Sequence, residues 1–164
     1  MNYAIVYSSC TGNTARLAQH LKSILPTEGL IYYGPPADQA VQADVLFVGS
    51  WTDKGTCSSD IARFLGSLNH KRVYLFGTAG FGGTPAYFDQ IAERMAANLA
   101  AGNLLLGHYL CQGKMPQTVR QRYESMAQTD PEKARPLLEN FDRALSHPDQ
   151  QDLEGLEKAV AGVL

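Results

Sequence analysis

The 164-residue sequence predicts an α/β fold, a three-layer sandwich in which helices cover both faces of a parallel sheet. Three observations predict it. Short apolar runs alternate with segments of helical period over the first two thirds of the chain. Three of those runs end in loops rich in Gly, Ser and Thr, and the C-terminal ends of strands are where such sheets build sites. A chain of this length, 45% hydrophobic, can bury one full core, so residues 1–164 read as a single domain.

The elements follow in order. A first strand is read over about 2–7, through Tyr3, Ile5 and Val6. Helix one carries Leu17, Leu21 and Ile24 at spacings of four and three and stops at Pro26. Strands two and three are read at about 29–33 and 44–50. Ser58 or Ser59 can cap helix two, whose Ile61, Phe64, Leu65 and Leu68 share one face. Strand four is read at about 72–77, helix three carries Phe88, Ile91, Met95 and Leu99, and strand five is read at about 105–111. These stripes read as sheet-facing core.

The core thus ends near residue 112, and about 113–164 form a helical C-terminal region. Val119, Tyr123 and Met126 suggest one helix there, Ala134, Leu137, Leu138, Phe141 and Leu145 a second, and Leu153, Leu156, Val160 and Val163 a third. Asp130-Pro131 and His147-Pro148-Asp149 mark the breaks. Most of these apolar residues read as core coverage, with the excess left as a helical cover or a partner-docking surface.

The richest chemistry lies between strand one and helix one. Ser8, Ser9, Cys10, Thr11, Gly12, Asn13 and Thr14 crowd hydroxyl and amide donors onto a helix N-terminus, whose dipole favours an anion, and Gly12 lets the backbone approach it closely. The segment lacks the Gly-Lys-Ser/Thr of a nucleoside-triphosphate loop and the three glycines of a dinucleotide fingerprint. It contains no Lys or Arg, so neutral dipoles alone would meet the charge of the ligand. What remains is one terminal monoester, the phosphate of a mononucleotide such as FMN. A bare strand-turn-helix corner with capping Ser and Thr is the structural alternative.

Residues 5–21 resemble the phosphate signature of the flavodoxin family at Ile5, Val6, Tyr7, Ser9, Gly12, Thr14, Ala18 and Leu21. Two more segments, Gly49 to Thr56 and Gly77 to Gly83, fall where that family places its ring-binding loops. With Cys111-Gln112-Gly113-Lys114-Met115 and the helical tail, the chain is similar to the flavodoxin subgroup associated with bacterial bilirubin reductase. The resemblance implies a flavodoxin-like sandwich with five parallel strands in the order 2-1-3-4-5, and FMN held without a covalent bond. It assigns Ser8 to Thr14 to the phosphate. It assigns Ser50, Trp51, Thr52, Lys54, Gly55, Thr78, Ala79, Gly80, Phe81 and Gly82 to the ring, with Trp51 and Phe81 on its two faces. It makes Gly55 the candidate for a backbone carbonyl that turns towards the half-reduced ring. Asp53 would lower the potential if it lies near the ring, whereas Lys54 would stabilise a reduced anion.

The function so implied is an electron carrier serving a partner protein, with bilirubin reductase as the partner that the subgroup resemblance suggests. The alternatives are an FMN-dependent NAD(P)H:quinone-type reductase, whose nicotinamide surface has no signature here, and a non-redox interaction module on the same fold. A receiver domain is disfavoured because strand three ends in Gly49-Ser50-Trp51 without a phosphoacceptor Asp. A net charge of −2 argues against nucleic acid or an anionic membrane as partner. With no basic leader and no apolar stretch near 18 residues, the chain reads as cytoplasmic. Cys10, Cys57 and Cys111 read as small buried filler and the four scattered histidines as surface residues without metal spacing; Gln112-Gly113-Lys114 follow strand five at the ring end of the sheet and read as a turn, with a contact to flavin or a docked partner as the alternative. No catalytic residue and no metal ligand is assigned.

Overall fold

Strands whose residues are apolar on both faces must be covered on both. The computed structural model describes residues Met1–Leu164 and shows how that is done. Strands β1 (Tyr3–Ser8), β2 (Leu30–Gly34), β3 (Val45–Asp53), β5 (Arg72–Ala79) and β6 (Leu104–Gln112) pair in the order β2-β1-β3-β5-β6, all in parallel. This is the implied order, with one addition. Strand β4 (Thr56–Cys57) pairs antiparallel with the end of β3, giving the sheet six strands rather than five.

Alternate residues of the same strands feed two cores. Ala4, Val6, Leu46, Val48, Val73 and Leu75 pack against Ile61, Phe64 and Leu65 of α2 (Ser59–Ser67) and Met95 of α3 (Pro85–Ala96). Tyr3, Ile5, Val45, Phe47, Tyr74 and Phe76 face Leu17 and Leu21 of α1 (Asn13–Ile24), together with Leu153, Leu156 and Val160 of a C-terminal helix, Gln150–Val160. That last helix is the closing element of the sandwich. Burying each large side chain in these layers contributes roughly 1.5–3 kcal/mol.

Between β6 and the closing helix the chain makes an additional helical pair, α4 (Gln117–Ala127) and α5 (Pro131–Ala144), so the closing helix is α6. Helix α5 buries Ala134, Asn140, Phe141 and Ala144, but α4 buries no residue, and its expected stripe of Val119, Tyr123 and Met126 is only half-covered. Arg120 of α4 lies over the Phe141 ring at 5.7 Å and pairs with Asp142, joining the two helices. Leu145 falls beyond the end of α5 and is exposed, and Leu99 falls beyond α3, which stops at Ala96. A 3-10 turn at Asp38–Gln42 carries too few residues to show a period.

The expected loop 50–57 is instead a strand end and a β-hairpin. Trp51 continues the β3 register opposite Thr78, then Thr52 and Asp53 pair with Cys57 and Thr56. The two-residue turn has positive φ at both positions, 51° at Lys54 and 83° at Gly55, the geometry that twists in the sense of the strands it joins.

Candidate cofactor site

At the C-terminal end of β1 the chain turns sharply into α1. Gly12 precedes the helix with φ of 91°, a conformation in which a side chain is strained, and no acidic residue stands in the first turn to oppose an anion. The amides of Cys10, Thr11, Gly12, Asn13 and Thr14 donate to no acceptor within the protein, leaving five consecutive N–H groups around one helix N-terminus. Side chains hold the turn in shape. The Ser9 Oγ accepts from the Ala15 amide at 3.2 Å, and the Asn13 side-chain Nδ2 donates to Thr11 Oγ1 at 3.0 Å. Thr14 is fully buried, with its hydroxyl 3.0 Å from that of Thr78 on β5.

A cavity of about 390 Å³ opens beside this turn, between the ends of β1, β3 and β5, within the range of small-ligand sites. Of the expected site residues it gathers Cys10, Thr11, Asn13, Trp51, Thr52, Lys54, Gly55, Thr78, Ala79, Gly80 and Phe81. Trp51 is half-buried and Phe81 is 40% exposed. The Thr52 hydroxyl donates to the Thr78 carbonyl at 2.8 Å, tying the hairpin to β5. Arg94 of α3 donates to the Gly55 carbonyl, so this carbonyl is held by a side chain as well as by its turn.

The other expected residues lie outside that wall. Ser50 is buried and spends its hydroxyl on the Trp51 carbonyl, while its oxygen accepts from the Ser58 amide. Ser8, Ser9, Thr14 and Gly82 do not line the cavity. Gly12 lines an adjoining cavity of about 220 Å³ with Thr11, Asn13, Arg16, Lys114 and His147. Cations thus stand beside a β1–α1 turn that itself has none, because α1 supplies Arg16 one turn in and the chain after β6 brings Lys114 across. Arg16 is anchored there by donating to the Pro148 carbonyl.

Sequence reasoning missed the cavity wall built by the C-terminal region. Gly113, Lys114, Met115 and Pro116 run across its mouth, and Val119 and Arg122 of α4 and Tyr87 of α3 complete it. The segment is more than a turn. Its Gly113 amide donates to Ala79, its Lys114 amide to His147, and its Lys114 carbonyl accepts from Asn13 at 2.8 Å. A Cβ at position 113 would stand 2.5 Å from Asn13 Nδ2, so only glycine permits this crossing. The signal for it was the surplus of chain after strand five.

Titratable groups around the site have structural roles. Partial burial works to raise the Asp60 carboxyl, but the Ser58 and Ser8 hydroxyls and the Ile61 amide outweigh it and hold the group below its ordinary value. Cys57 and Cys111 are buried filler whose thiols burial pushes up. Cys10 corrects the expectation: it is exposed, because it rides on the outward turn between β1 and α1. His147 is half-buried with Nδ1 2.6 Å from Asp152, within the reciprocal cap that Asp149 and Asp152 form at the start of α6.

Five free amides at a helix N-terminus, neutral hydroxyls around them, and a cavity next to them at the strand ends are the arrangement by which a doubly wound α/β fold holds a phosphate-bearing ligand. The chain belongs to the flavodoxin family, whose flavodoxin domain matches residues 4–161. Among its relatives, a flavodoxin-like domain-containing protein BilS from Clostridium symbiosum is 38% identical, the match covering 96% of this chain and 93% of that one. A second BilS, from Clostridioides difficile, is 32% identical over 93% of this chain and 90% of its own. The fold is shared with a flavodoxin from Streptococcus pneumoniae at a TM-score of 0.61, 16% identity and full coverage of both chains. It is also shared with flavodoxin 2 of Bacillus cereus at a TM-score of 0.55 and 18% identity, covering 98% of this chain and 97% of that one. FMN is the cofactor of the family, and the donor set and cavity of this chain fit it.

Proposed function

We propose that this protein is an electron carrier that holds one FMN and delivers electrons to a partner reductase, and that the partner is a bilirubin reductase. The observation that carries the flavin reading is the five-amide turn next to a cavity walled by Trp51, Gly80 and Phe81. When bound, FMN supplies storage for one or two electrons, and the protein sets how readily they are taken up. In this reading the amides of residues 10–14 bind the phosphate, with Ser8, Ser9, Thr11 and Asn13 shaping or completing their cradle. Thr14 braces it from below through Thr78. Trp51 and Phe81 take the two faces of the ring, and Thr52, Lys54, Gly55, Thr78, Ala79, Gly80 and Gly82 form its backbone surround and exclude water.

The partner is inferred from the resemblance to the bilirubin reductase subgroup and from kinship with the two BilS proteins. Three free cysteines support a place in a reducing compartment such as the cytoplasm; no helix is long and apolar enough to cross a membrane.

Titration of the apoprotein with FMN and with riboflavin tests the flavin site. FMN binds one to one and riboflavin binds far more weakly; equal affinities would refute a phosphate site at residues 10–14. The reduced holoprotein added to a bilirubin reductase raises product formation, whereas rapid NAD(P)H-driven quinone reduction by the isolated protein would refute the carrier role.

A further inference from the structure

The cavity beside the phosphate turn has an unusual charge pattern. Lys54, Lys114 and Arg122 line it, and no Asp or Glu does. The three cations come from three separate places: the β3–β4 turn, the crossing segment after β6, and α4. All are exposed, and none is engaged in an ion pair, in contrast to Arg120 on the same helix, which pairs with both Glu124 and Asp142. Asp53, adjacent to Lys54 in the chain, does not line the cavity.

We propose that Lys54, Lys114 and Arg122 form a cationic rim that favours the reduced, anionic form of FMN over the oxidised form and so raises the potential of this carrier. The inference rests on the reading of the cavity as the flavin ring site. With two electrons from a donor and one proton from water, a bound FMN ring would carry one negative charge. A fixed phosphate nearby opposes that charge, and apolar walls oppose it too. Three unpaired cations at the mouth work in the opposite sense, and because they face solvent their effect is screened by salt. The oxidised ring is neutral, so the rim acts chiefly on the reduced state.

Lys54→Gln, Lys114→Gln, Arg122→Gln and the triple variant test this, with Lys71→Gln as a control that removes a cation from the opposite end of β5. Two quantities are read: the dissociation constant of oxidised FMN and the two-electron midpoint potential of the holoprotein, equilibrated with a reference dye. Their combination gives the ratio of affinities for reduced and oxidised FMN. Each single replacement lowers that ratio about threefold and the triple about 30-fold, which for a two-electron couple is ~14 mV and ~44 mV downwards. Lys71→Gln leaves it at the wild-type value. Added salt lowers the wild-type potential towards that of the triple variant. A triple variant with the wild-type potential, or one that loses affinity equally for both forms, overturns the proposal while leaving the flavin site intact. A wild-type protein that takes up no FMN overturns both.

Discussion

Asn140 is the residue through which α5 reaches the wall of the cavity. It sits on α5, 7% exposed, and its amide donates to the Gly80 carbonyl at 3.1 Å while its oxygen accepts from Gln112 at 3.1 Å. Gln112 in turn donates to the same Gly80 carbonyl at 3.0 Å. Asn140→Ala removes two of these three hydrogen bonds, each with a net value of about 0.5–1.5 kcal/mol. Gln112 still satisfies Gly80, so a loss of ~1–2 kcal/mol of apoprotein stability is expected in urea unfolding, at an unchanged m-value. Because Gly80 is part of the cavity wall, next to Phe81, FMN affinity falls as well, by about threefold to tenfold, or ~0.7–1.4 kcal/mol. Asn140→Asp is worse than Ala at neutral pH, since a carboxylate offers only acceptors to a carbonyl. A double-mutant cycle with Gln112→Ala gives a coupling of ~0.5 kcal/mol or more. Wild-type stability and wild-type FMN affinity in Asn140→Ala would refute the idea that α5 holds the Gly80 loop.

Further outcomes follow from the same geometry. Thr14→Val strands the buried Thr78 hydroxyl and costs about 1–3 kcal/mol of stability in chemical unfolding, whereas Thr14→Val with Thr78→Val recovers most of it; a double variant as unstable as the sum of the singles would show that the pair does not act together. The fluorescence of Trp51, the only tryptophan, falls sharply when FMN is added to apoprotein, and an unchanged signal would remove Trp51 from the ring face. Asp149→Ala costs ~1 kcal/mol by uncapping α6. The Asp152 amide above all, with His147 nearby, holds the Asp149 carboxyl below its ordinary value, so its contribution is complete above about pH 3.9 and is lost as pH falls through the lower folded value. Unfolding curves of wild type and Asp149→Ala therefore converge in acid; a constant gap would assign the loss to packing instead.

The parts of the fold that were legible in the sequence are those whose side chains face a continuous layer. Leu17 and Leu21, or Ile61, Phe64 and Leu65, repeat at helical spacing because each meets the same sheet, and all are fully or nearly fully buried. The donor-rich turn between β1 and α1 was legible for a different reason: its donors come from consecutive residues, so composition alone displays them. The hairpin at 50–57 was not, since Thr52 and Asp53 pair with residues only a few positions away and Lys54 adopts positive φ where Asn or Gly is more usual. The Val119, Tyr123 and Met126 stripe has the right spacing yet lies half-covered, because α4 rests on α5 and the cavity mouth rather than on the sheet.

That difference explains why the cavity wall divided as it did between the visible and the hidden. A residue lining an open cavity contacts no layer, so no period marks it, and Lys114, Met115 and Arg122 carry none. What places them is hydrogen bonding across the fold: Asn13 to the Lys114 carbonyl, Gly113 to Ala79, and Lys114 to His147. Each of these joins segments at least 33 residues apart, and two of the three use backbone atoms on both sides, which any sequence possesses. The same crossing that brings Lys114 beside the phosphate turn carries α4 to the mouth of the cavity and sets Asn140 of α5 against Gly80. The extension therefore acts on the flavin site in two physical ways, through shape at Gly80 and through charge at Lys114 and Arg122. Replacing Asn140 changes the stability of the loop, and replacing the cations changes the potential. The two effects separate because the first is short-ranged and insensitive to salt, while the second is electrostatic and screened.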